Sequence, residues 1–290
     1  MLVKEAAHNT TPWVAFQGDI DRVCTPQGTR EFVAATGSAE LVWLPKVGHG
    51  FSVEHNWLPH FMDAYRRLAG RATPPPPTPP EVRDLPLVEV PATAAATAEA
   101  EALYAVLLTG DGGWAGLDRD VAAALAARGI PVVGLNTLKY FWHARSPEAA
   151  ARDLERVIRR YGAVWRRSQV LLIGYSFGAD VLPFLYTRLP ADVQAAVRTV
   201  NLLGLSEAAT FEFHVSDWIP RSSGRGRPVP PEIARMGTAA VLCLYGRSES
   251  DSPCARLASA TVTAVALDGG HHFGGDYAAL ARQVLDYARR

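Results

Sequence analysis

The chain has 290 residues, of which 48% are hydrophobic and 20% charged, a composition typical of a globular protein with one large domain or two smaller ones. Lys plus Arg and Asp plus Glu both total 29, and the resulting zero net charge argues against a dedicated nucleic-acid binder. No charge-free run reaches the ~18 apolar residues of a membrane span. Three cysteines and the absence of a short repeat exclude zinc ribbons, coiled coils and collagen.

Prolines divide the chain into a short part and a long part. Six prolines fall within residues 72–80. Because proline fixes φ and has no amide hydrogen, we predict that residues 71–80 form an extended polyproline II spacer within a Pro-rich linker over residues 71–83. The short part, residues 1–70, begins without the apolar segment of a secretory signal peptide.

The long part, residues 84–290, alternates apolar strands with amphipathic helices. The predicted strands are residues 105–109, 131–135, 170–174, 200–204 and 240–245, and the last helix spans residues 276–289. Uniformly apolar strands separated by helices indicate a mainly parallel sheet covered on both faces. The fold class is therefore α/β. Residues 221–236, rich in Pro, Gly and Arg, predict a mobile insertion beside the sheet.

An internal repeat links the two parts. Residues 13–51 and residues 241–273 share the order strand, Gly-x-x-acid, Cys, strand, Gly-His and Phe. We interpret residues 1–70 as the C-terminal fragment of a truncated second copy that precedes the complete domain. A chance match of short motifs is the alternative.

A G-x-S-x-G motif, Gly174–Gly178, stands directly between a predicted strand and a helix. A serine on such a sharp turn needs very small neighbours, and the following helix N-terminus favours a developing oxyanion. The motif predicts that Ser176 is a nucleophile. The alternative is an ordinary strand-to-helix turn with a spare serine.

A serine nucleophile needs a histidine base and an acid that orients it. Downstream of Ser176 the chain supplies Glu249 and Asp251 after a strand, then His271 in a Gly-Gly-His-His loop. This is the chain order Ser, acid, His of α/β-hydrolases. Glu249 is the first choice because its spacing from Gly246 matches the repeat, but Asp251 stays open as the acid.

The oxyanion needs two backbone donors, and Phe177, directly after the serine, supplies one. The other is predicted at Asp111, in the glycine-rich loop after the first long-part strand. The carboxylates of Asp111 and Asp180 also suit a substrate that carries an amine, although either could be a cap or an ion-pair partner. The predicted substrate contacts are Gly110, Gly112, Tyr175 and Asp180. No metal or organic cofactor is required.

Cys243 and Cys254 flank the turn that carries the acid. A disulfide between them would constrain this turn in an oxidising compartment, whereas two buried thiols are the alternative. Cys24 is then left unpaired.

Five motifs together resemble the VirJ/AcvB family of bacterial virulence proteins over residues 84–290. They are Gly110–Trp114, Lys139–Trp142, Gly174–Asp180, Cys243–Gly246 and Gly269–Phe273. The resemblance implies an α/β-hydrolase fold, a periplasmic location and a serine esterase that removes lysine from lysyl-phosphatidylglycerol. Larger members carry two such domains in tandem, which would make Asp21 and His49 a catalytically silent remnant here.

The resemblance therefore implies an aminoacylated phospholipid at the membrane surface as substrate, engaged in part by the aromatic residues 140–142. Members are also linked to type IV secretion, so the alternative function is a non-catalytic periplasmic chaperone or adaptor that contacts secretion-system proteins. Neither function involves nucleic acid or a transmembrane segment.

Overall fold

The computed structural model describes residues 12–36, 38–69, 80–98, 100–212 and 226–290. Two compact units divide the chain after Pro74. Residues 71–79 of the predicted linker and 221–225 of the predicted insertion lie outside the described residues.

The described part of the short unit contains two parallel strands and two helices. They are β1 (Trp13–Gly18), α1 (Pro26–Thr36), β2 (Ala39–Leu44) and α2 (Leu58–Ala69), with a 3-10 turn at Glu54–Asn56. The register pairs Trp13 with Ala39 and Gly18 with Leu44, so both strands end at the same level.

The long unit is organised around a seven-stranded sheet with the order β11-β10-β7-β6-β4-β5-β3. Its strands are β3 (Leu87–Val90), β4 (Leu103–Leu108), β5 (Val132–Leu135), β6 (Gln169–Tyr175), β7 (Val197–Leu203), β10 (Val241–Gly246) and β11 (Val262–Leu267), and a separate short pair is formed by β8 (Ala208–Ala209) and β9 (Arg227–Pro228). Only β3, at one edge, runs antiparallel to its neighbour in this sheet.

Helices cover both faces of the sheet. They are α3 (Gly116–Ala126), α4 (Thr137–Tyr140), α5 (Pro147–Trp165), α6 (Phe177–Tyr186), α7 (Ala191–Ala196), α8 (Val229–Ala234), α9 (Cys254–Leu257) and α10 (Tyr277–Ala288). Ser146 begins the longest of them by accepting a hydrogen bond from the Ala149 amide. A side-chain oxygen at this position satisfies a helix amide that has no backbone partner.

The apolar core lies in two layers, one on each face of the sheet. Along β4, Val106 and Leu108 face the layer with α5 and α6, whereas Ala105 and Leu107 face the layer with α3 and α10. All four are fully buried. Both faces of a central strand are therefore dry, which explains why these strands are apolar throughout rather than alternating.

Two boundaries differ from the sequence prediction. The described end of the predicted linker, residues 80–82, forms a 3-10 turn whose Val82 is buried in the core. Part of the predicted insertion forms helix α8, and Val229 and Ile233, one helical turn apart, pack into the same core. The expectation of a mobile insertion is wrong there because apolar residues at helical spacing outweigh the Pro- and Gly-rich composition.

Candidate active site

Ser176 occupies the sharp turn between β6 and α6. Its φ is 51° and its ψ −119°, a left-handed backbone that a non-glycine residue adopts only under constraint. A side chain at Gly174 would lie 2.5 Å from the Gly178 carbonyl oxygen, and one at Gly178 would lie 2.2 Å from the Leu108 carbonyl oxygen. The two motif glycines therefore let the turn pack tightly against β4.

A continuous hydrogen-bonded chain joins three of the predicted side chains. His271 Nε2 lies 2.8 Å from Ser176 Oγ, and His271 Nδ1 lies 2.6 Å from Glu249 Oε1. The Glu249 side chain is 14% exposed, that of His271 is 39% exposed and Ser176 is half-buried, so the acid is shielded while solvent reaches the imidazole. This arrangement allows the imidazole to take the serine proton while the carboxylate holds the ring.

Glu249 is held by the turn that follows β10. Its Oε2 accepts a hydrogen bond of 2.5 Å from the Gly246 amide, which leaves Oε1 for His271. Asp251 is exposed, two residues farther along, and does not contact His271. The structure thus brings Glu249, and not Asp251, to the histidine.

A disulfide joins β10 to the N-terminus of α9. Cys243 and Cys254 are bonded, with their Cα atoms 5.5 Å apart. The bridge closes the segment that contains Glu249, so it restrains the turn on both sides.

The loop that carries His271 rests on Tyr175. The Tyr175 hydroxyl lies 3.0 Å from His272 Nδ1 and 3.3 Å from the His271 carbonyl oxygen. Its ring is buried, and its centroid lies 5.4 Å from that of His271. The structure therefore places Tyr175, which we predicted to contact substrate, beneath the histidine loop.

Gly204, after β7, was not identified from the sequence. Its φ is +65°, and a Cβ there would lie 2.8 Å from His271 Cε1. The residue leaves space for the imidazole. The available signal was a glycine directly after a buried strand, a position that favours close approach of another group.

The glycine-rich loop after β4 lies beside the serine. A Cβ at Gly110 would be 3.5 Å from Ser176 Cβ. The Thr137 hydroxyl, at the start of α4, lies 2.9 Å from the Gly110 carbonyl oxygen and donates to it. Asp111 is partly exposed in this loop, and Phe177 is the first residue of α6. Both predicted oxyanion donors thus belong to segments that flank Ser176.

Two carboxyl groups of the helices that follow β4 and β6, those of Asp118 and Asp180, are buried. Burial raises the pKa of Asp180 to about 8, and the charge of Asp111 adds to this rise. Asp180 Oδ1 accepts a hydrogen bond of 2.7 Å from the Ser206 amide, which ties α6 to the loop after β7. Burial also raises the pKa of Asp118 to about 7, and its Oδ1 has no hydrogen-bond partner among the described residues.

Asp118 was missed by the sequence analysis. It stands in the first turn of α3, where an acid is ordinarily a solvated residue at the positive end of the helix. Its neighbours Leu117 and Val121 are buried, and this apolar face was the signal that the carboxyl group is buried too.

The short unit contains a related acid–histidine pair. His49 Nδ1 lies 3.1 Å from Asp21 Oδ2, the arrangement that His271 makes with Glu249. No hydrogen bond between a serine hydroxyl and His49 is found within the described residues 12–36 and 38–69. That this pair has no catalytic activity remains a prediction.

Among the described helices, none combines the length and the hydropathy required to cross a bilayer.

Comparisons with known proteins agree with this architecture. Est1E from Butyrivibrio proteoclasticus superposes with a TM-score of 0.50 at 12% identity, over 70% of this chain and 94% of that chain. The esterase domain of a Rhodothermus marinus protein is 16% identical, over 71% of this chain and 98% of that chain, with a TM-score of 0.47. At 12% identity the likeness to Est1E concerns the fold alone, and this fold is the α/β-hydrolase fold that the sequence predicted. No curated protein gives a significant match.

A family model described as bacterial virulence protein (VirJ) matches residues 102–290. The match covers most of the long unit and includes Ser176, Glu249 and His271. It confirms the resemblance drawn from the five motifs. The chain therefore belongs to the bacterial virulence protein (VirJ) family.

Proposed function

We propose that residues 84–290 form a periplasmic serine hydrolase that cleaves the aminoacyl ester of lysyl-phosphatidylglycerol. The observation that carries the proposal is the unbroken hydrogen-bonded chain from Ser176 through His271 to Glu249. The hydrolase fold of the VirJ family supports the reaction class, and the motif resemblance supports the lipid substrate.

The geometry supports a two-step ester hydrolysis. Ser176 Oγ attacks the lysyl carbonyl carbon while His271 Nε2 takes the hydroxyl proton. The histidine returns this proton to the glycerol oxygen, so phosphatidylglycerol leaves and lysine stays as an ester of the serine. Water, deprotonated by the same imidazole, then releases lysine and restores the serine hydroxyl. Glu249 keeps the imidazole oriented and stabilises its positive charge.

The oxyanion of each tetrahedral intermediate would be bound by the backbone amides of Phe177 and Asp111. Phe177 begins α6, where the amides of the first turn have no partner within the helix. The Gly110 backbone packs close to Ser176, which brings the second amide into the same region. Such preorganised donors lower the barrier by about 3 kcal/mol each.

The partner of the substrate ammonium is Asp111 rather than Asp180. Asp180 is buried, hydrogen-bonded to the Ser206 amide and has a pKa raised to about 8, so at neutral pH it is largely uncharged. Asp111 is partly exposed and lies close enough to raise the pKa of Asp180 by its charge. A carboxylate in the oxyanion loop can pair with the α-ammonium of an aminoacyl ester.

Within the aromatic residues 140–142, Trp142 is the side chain that would contact the lipid surface. Tyr140 and Phe141 are buried in the core, whereas Trp142 is 52% exposed. The Phe141 ring contacts that of Phe177, with centroids 5.3 Å apart, so the exposed indole lies on the segment next to the serine. Tryptophan at a membrane interface keeps its apolar ring among lipid and its N–H in water.

The domain organisation follows the same proposal. We propose that residues 1–70 are the C-terminal fragment of a first VirJ-like domain, joined to the hydrolase domain by the Pro-rich linker predicted over residues 71–83, of which Val82 already packs into the core of the long unit. The equal strand registers at the two chain ends support the repeat. The Cys243–Cys254 disulfide supports an oxidising compartment such as the periplasm.

The test uses the full chain, a fluorophosphonate probe and vesicles that contain lysyl-phosphatidylglycerol. We expect the probe to label the wild-type protein and lysine to be released, and both to be lost in Ser176→Ala. Ser259→Ala is the matched control because Ser259 caps the loop before β11, at the opposite end of the strand from the site. Labelling without lysine release would retain a serine hydrolase and reject this substrate. A folded wild-type protein that is not labelled would favour the adaptor.

A further inference from the structure

Three chemically different donor side chains meet in the short unit, and none of them belongs to the residues proposed for hydrolysis. A carboxylate oxygen of Asp21, the thiol of Cys24 and a ring nitrogen of His49 all lie within 4.8 Å of one another. Asp21 and Cys24 belong to the turn after β1, and His49 to the loop after β2. The Cys24 and His49 side chains are exposed, so solvent reaches two of the three donors.

The carboxylate is fixed before any ligand binds. Asp21 Oδ1 accepts hydrogen bonds from the Val23 amide at 2.8 Å and the Cys24 amide at 2.9 Å. The side chain is 5% exposed, and Oδ2 is directed at His49. A buried carboxylate with one oxygen tied to the backbone offers the other as a preoriented ligand.

The spacing of the donors suits a tetrahedral cation. Nitrogen and oxygen ligands ~2.0–2.2 Å from zinc, at a tetrahedral angle, stand about 3.4 Å apart. The Asp21 Oδ2 to His49 Nδ1 distance is 3.1 Å, so a cation fits between them after a small movement of the exposed imidazole. The Cys24 side chain can rotate at the surface to bring its sulfur into range. One sulfur, one nitrogen and one oxygen are donors that zinc binds well.

The Cys24 thiol is free because the short unit has no counterpart of Cys243. Superposing the pattern by Gly18 and Gly246 puts Ala15 where the long unit has Cys243. Cys243 holds Cys254 in a disulfide, whereas Cys24 is free. The short unit therefore keeps a cysteine in the turn that carries Asp21, without a second cysteine with which it could form a disulfide.

We propose that Asp21, Cys24 and His49 bind a zinc-type divalent cation, with water at the fourth position. Binding exchanges the thiol proton for a metal–sulfur bond and releases that proton to solvent. The ion ties the turn after β1 to the loop after β2, as the disulfide and Glu249 fix the corresponding turn of the long unit. A metal ion that cross-links two loops stabilises a small unit with a two-stranded sheet.

Cobalt(II) titration of the full chain tests the proposal under non-reducing conditions. A thiolate bound to cobalt gives a charge-transfer band in the near ultraviolet. Because the other two cysteines of the chain form a disulfide, this band can arise only from Cys24. We expect a band that saturates at one cobalt per chain and disappears on adding zinc. We also expect the short unit to resist proteolysis better with bound metal than without it.

Three variants and one control complete the experiment. Cys24→Ser removes an exposed sulfur without disturbing packing and should abolish the band. His49→Ala and Asp21→Asn should each weaken cobalt affinity at least tenfold. His60→Ala, an exposed histidine on α2, should leave the titration unchanged. Failure of wild-type protein to develop the band at millimolar cobalt, or a band unaffected by His49→Ala and Asp21→Asn, overturns the proposal.

Discussion

The two ends of the chain build the same local structure but differ in what the histidine meets. Both have two parallel strands in the same register, β1 with β2 and β10 with β11. Equivalent backbone hydrogen bonds recur, from Asp21 to Gly18 and from Glu249 to Gly246, and from Phe51 to Gly48 and from Phe273 to Gly270. Phe51 and Phe273 even share a positive φ, 47° and 51°.

A short stretch of local structure is enough to form an acid–histidine pair. A strand, a tight turn, a second strand and a loop are enough to bring His49 to Asp21. The nucleophile of the long unit comes from a different strand–helix pair, β6 and α6, which the sheet places beside the histidine loop. Among the described residues, the serine that the proposed hydrolysis requires therefore meets a histidine in the long unit and not in the short one.

The largest effect that separates the two pairs is on ester hydrolysis. His271→Ala should lower kcat/KM about ten-thousandfold, because the serine then has no base. His49→Ala should leave kcat/KM within a factor of two. Steady-state hydrolysis of a p-nitrophenyl ester measures both. Equal losses in the two variants would show that the short unit takes part in the reaction.

The next effect concerns how the two acid turns are held. Removing the disulfide with Cys243→Ser and Cys254→Ser together should lower the free energy of unfolding of the long unit by about 3 kcal/mol, because the unfolded chain regains the entropy of an 11-residue loop. Cys24→Ser, on the exposed free thiol, is the control and should change it by less than 0.5 kcal/mol. Urea unfolding followed by tryptophan fluorescence gives both values.

Gly204→Ala tests whether the space beside the His271 ring is needed for activity. A methyl group there would meet the His271 ring at 2.8 Å and displace it from Ser176. We expect kcat to fall ten- to a hundredfold with the protein still folded. Gly237→Ala is matched in φ, +64° against +65°, but has open space around it. Gly237→Ala should introduce similar backbone strain and leave kcat unchanged. An equal loss of kcat in both variants would contradict the steric explanation.

The most gradual effect is a pH dependence that arises from a buried carboxyl group of the long unit. The pKa of Asp180 is raised by burial to about 8 in the folded state, above its ordinary value of 3.8. The folded protein therefore binds the proton more tightly, so this stabilisation is complete below pH 4 and is lost as the pH rises to about 8, by at most about 1.4 kcal/mol per pH unit.

Asp180→Asn should remove this slope. The measurement is the urea midpoint of wild type and variant from pH 4 to pH 9. The difference between the two midpoints should change in favour of the variant up to pH 8 and then stay constant. Asp120→Asn, on the exposed face of α3, serves as the comparison and should follow the wild type throughout. Parallel curves for Asp180→Asn and wild type over the whole range would show that Asp180 is ionised in the folded protein.

Local pattern was enough to predict the α/β class, the Ser176 turn and the repeat at the chain ends. The reason is that each depends on neighbours in sequence: apolar strands between helices, glycines two residues from the serine, and an acid three residues after a strand. The family followed from the same motifs because they are distributed along the whole long unit.

Tertiary structure alone decided which acid meets the histidine, which carboxyl groups are buried and what surrounds His271. Glu249 and Asp251 are two residues apart, and only the direction of the turn after β10 gives one of them to the imidazole. Asp118, Asp180 and Gly204 acquire their roles from segments distant in sequence. Burial and close approach are properties of packed surfaces, so a pattern read along the chain predicts which residues can react but not which ones touch.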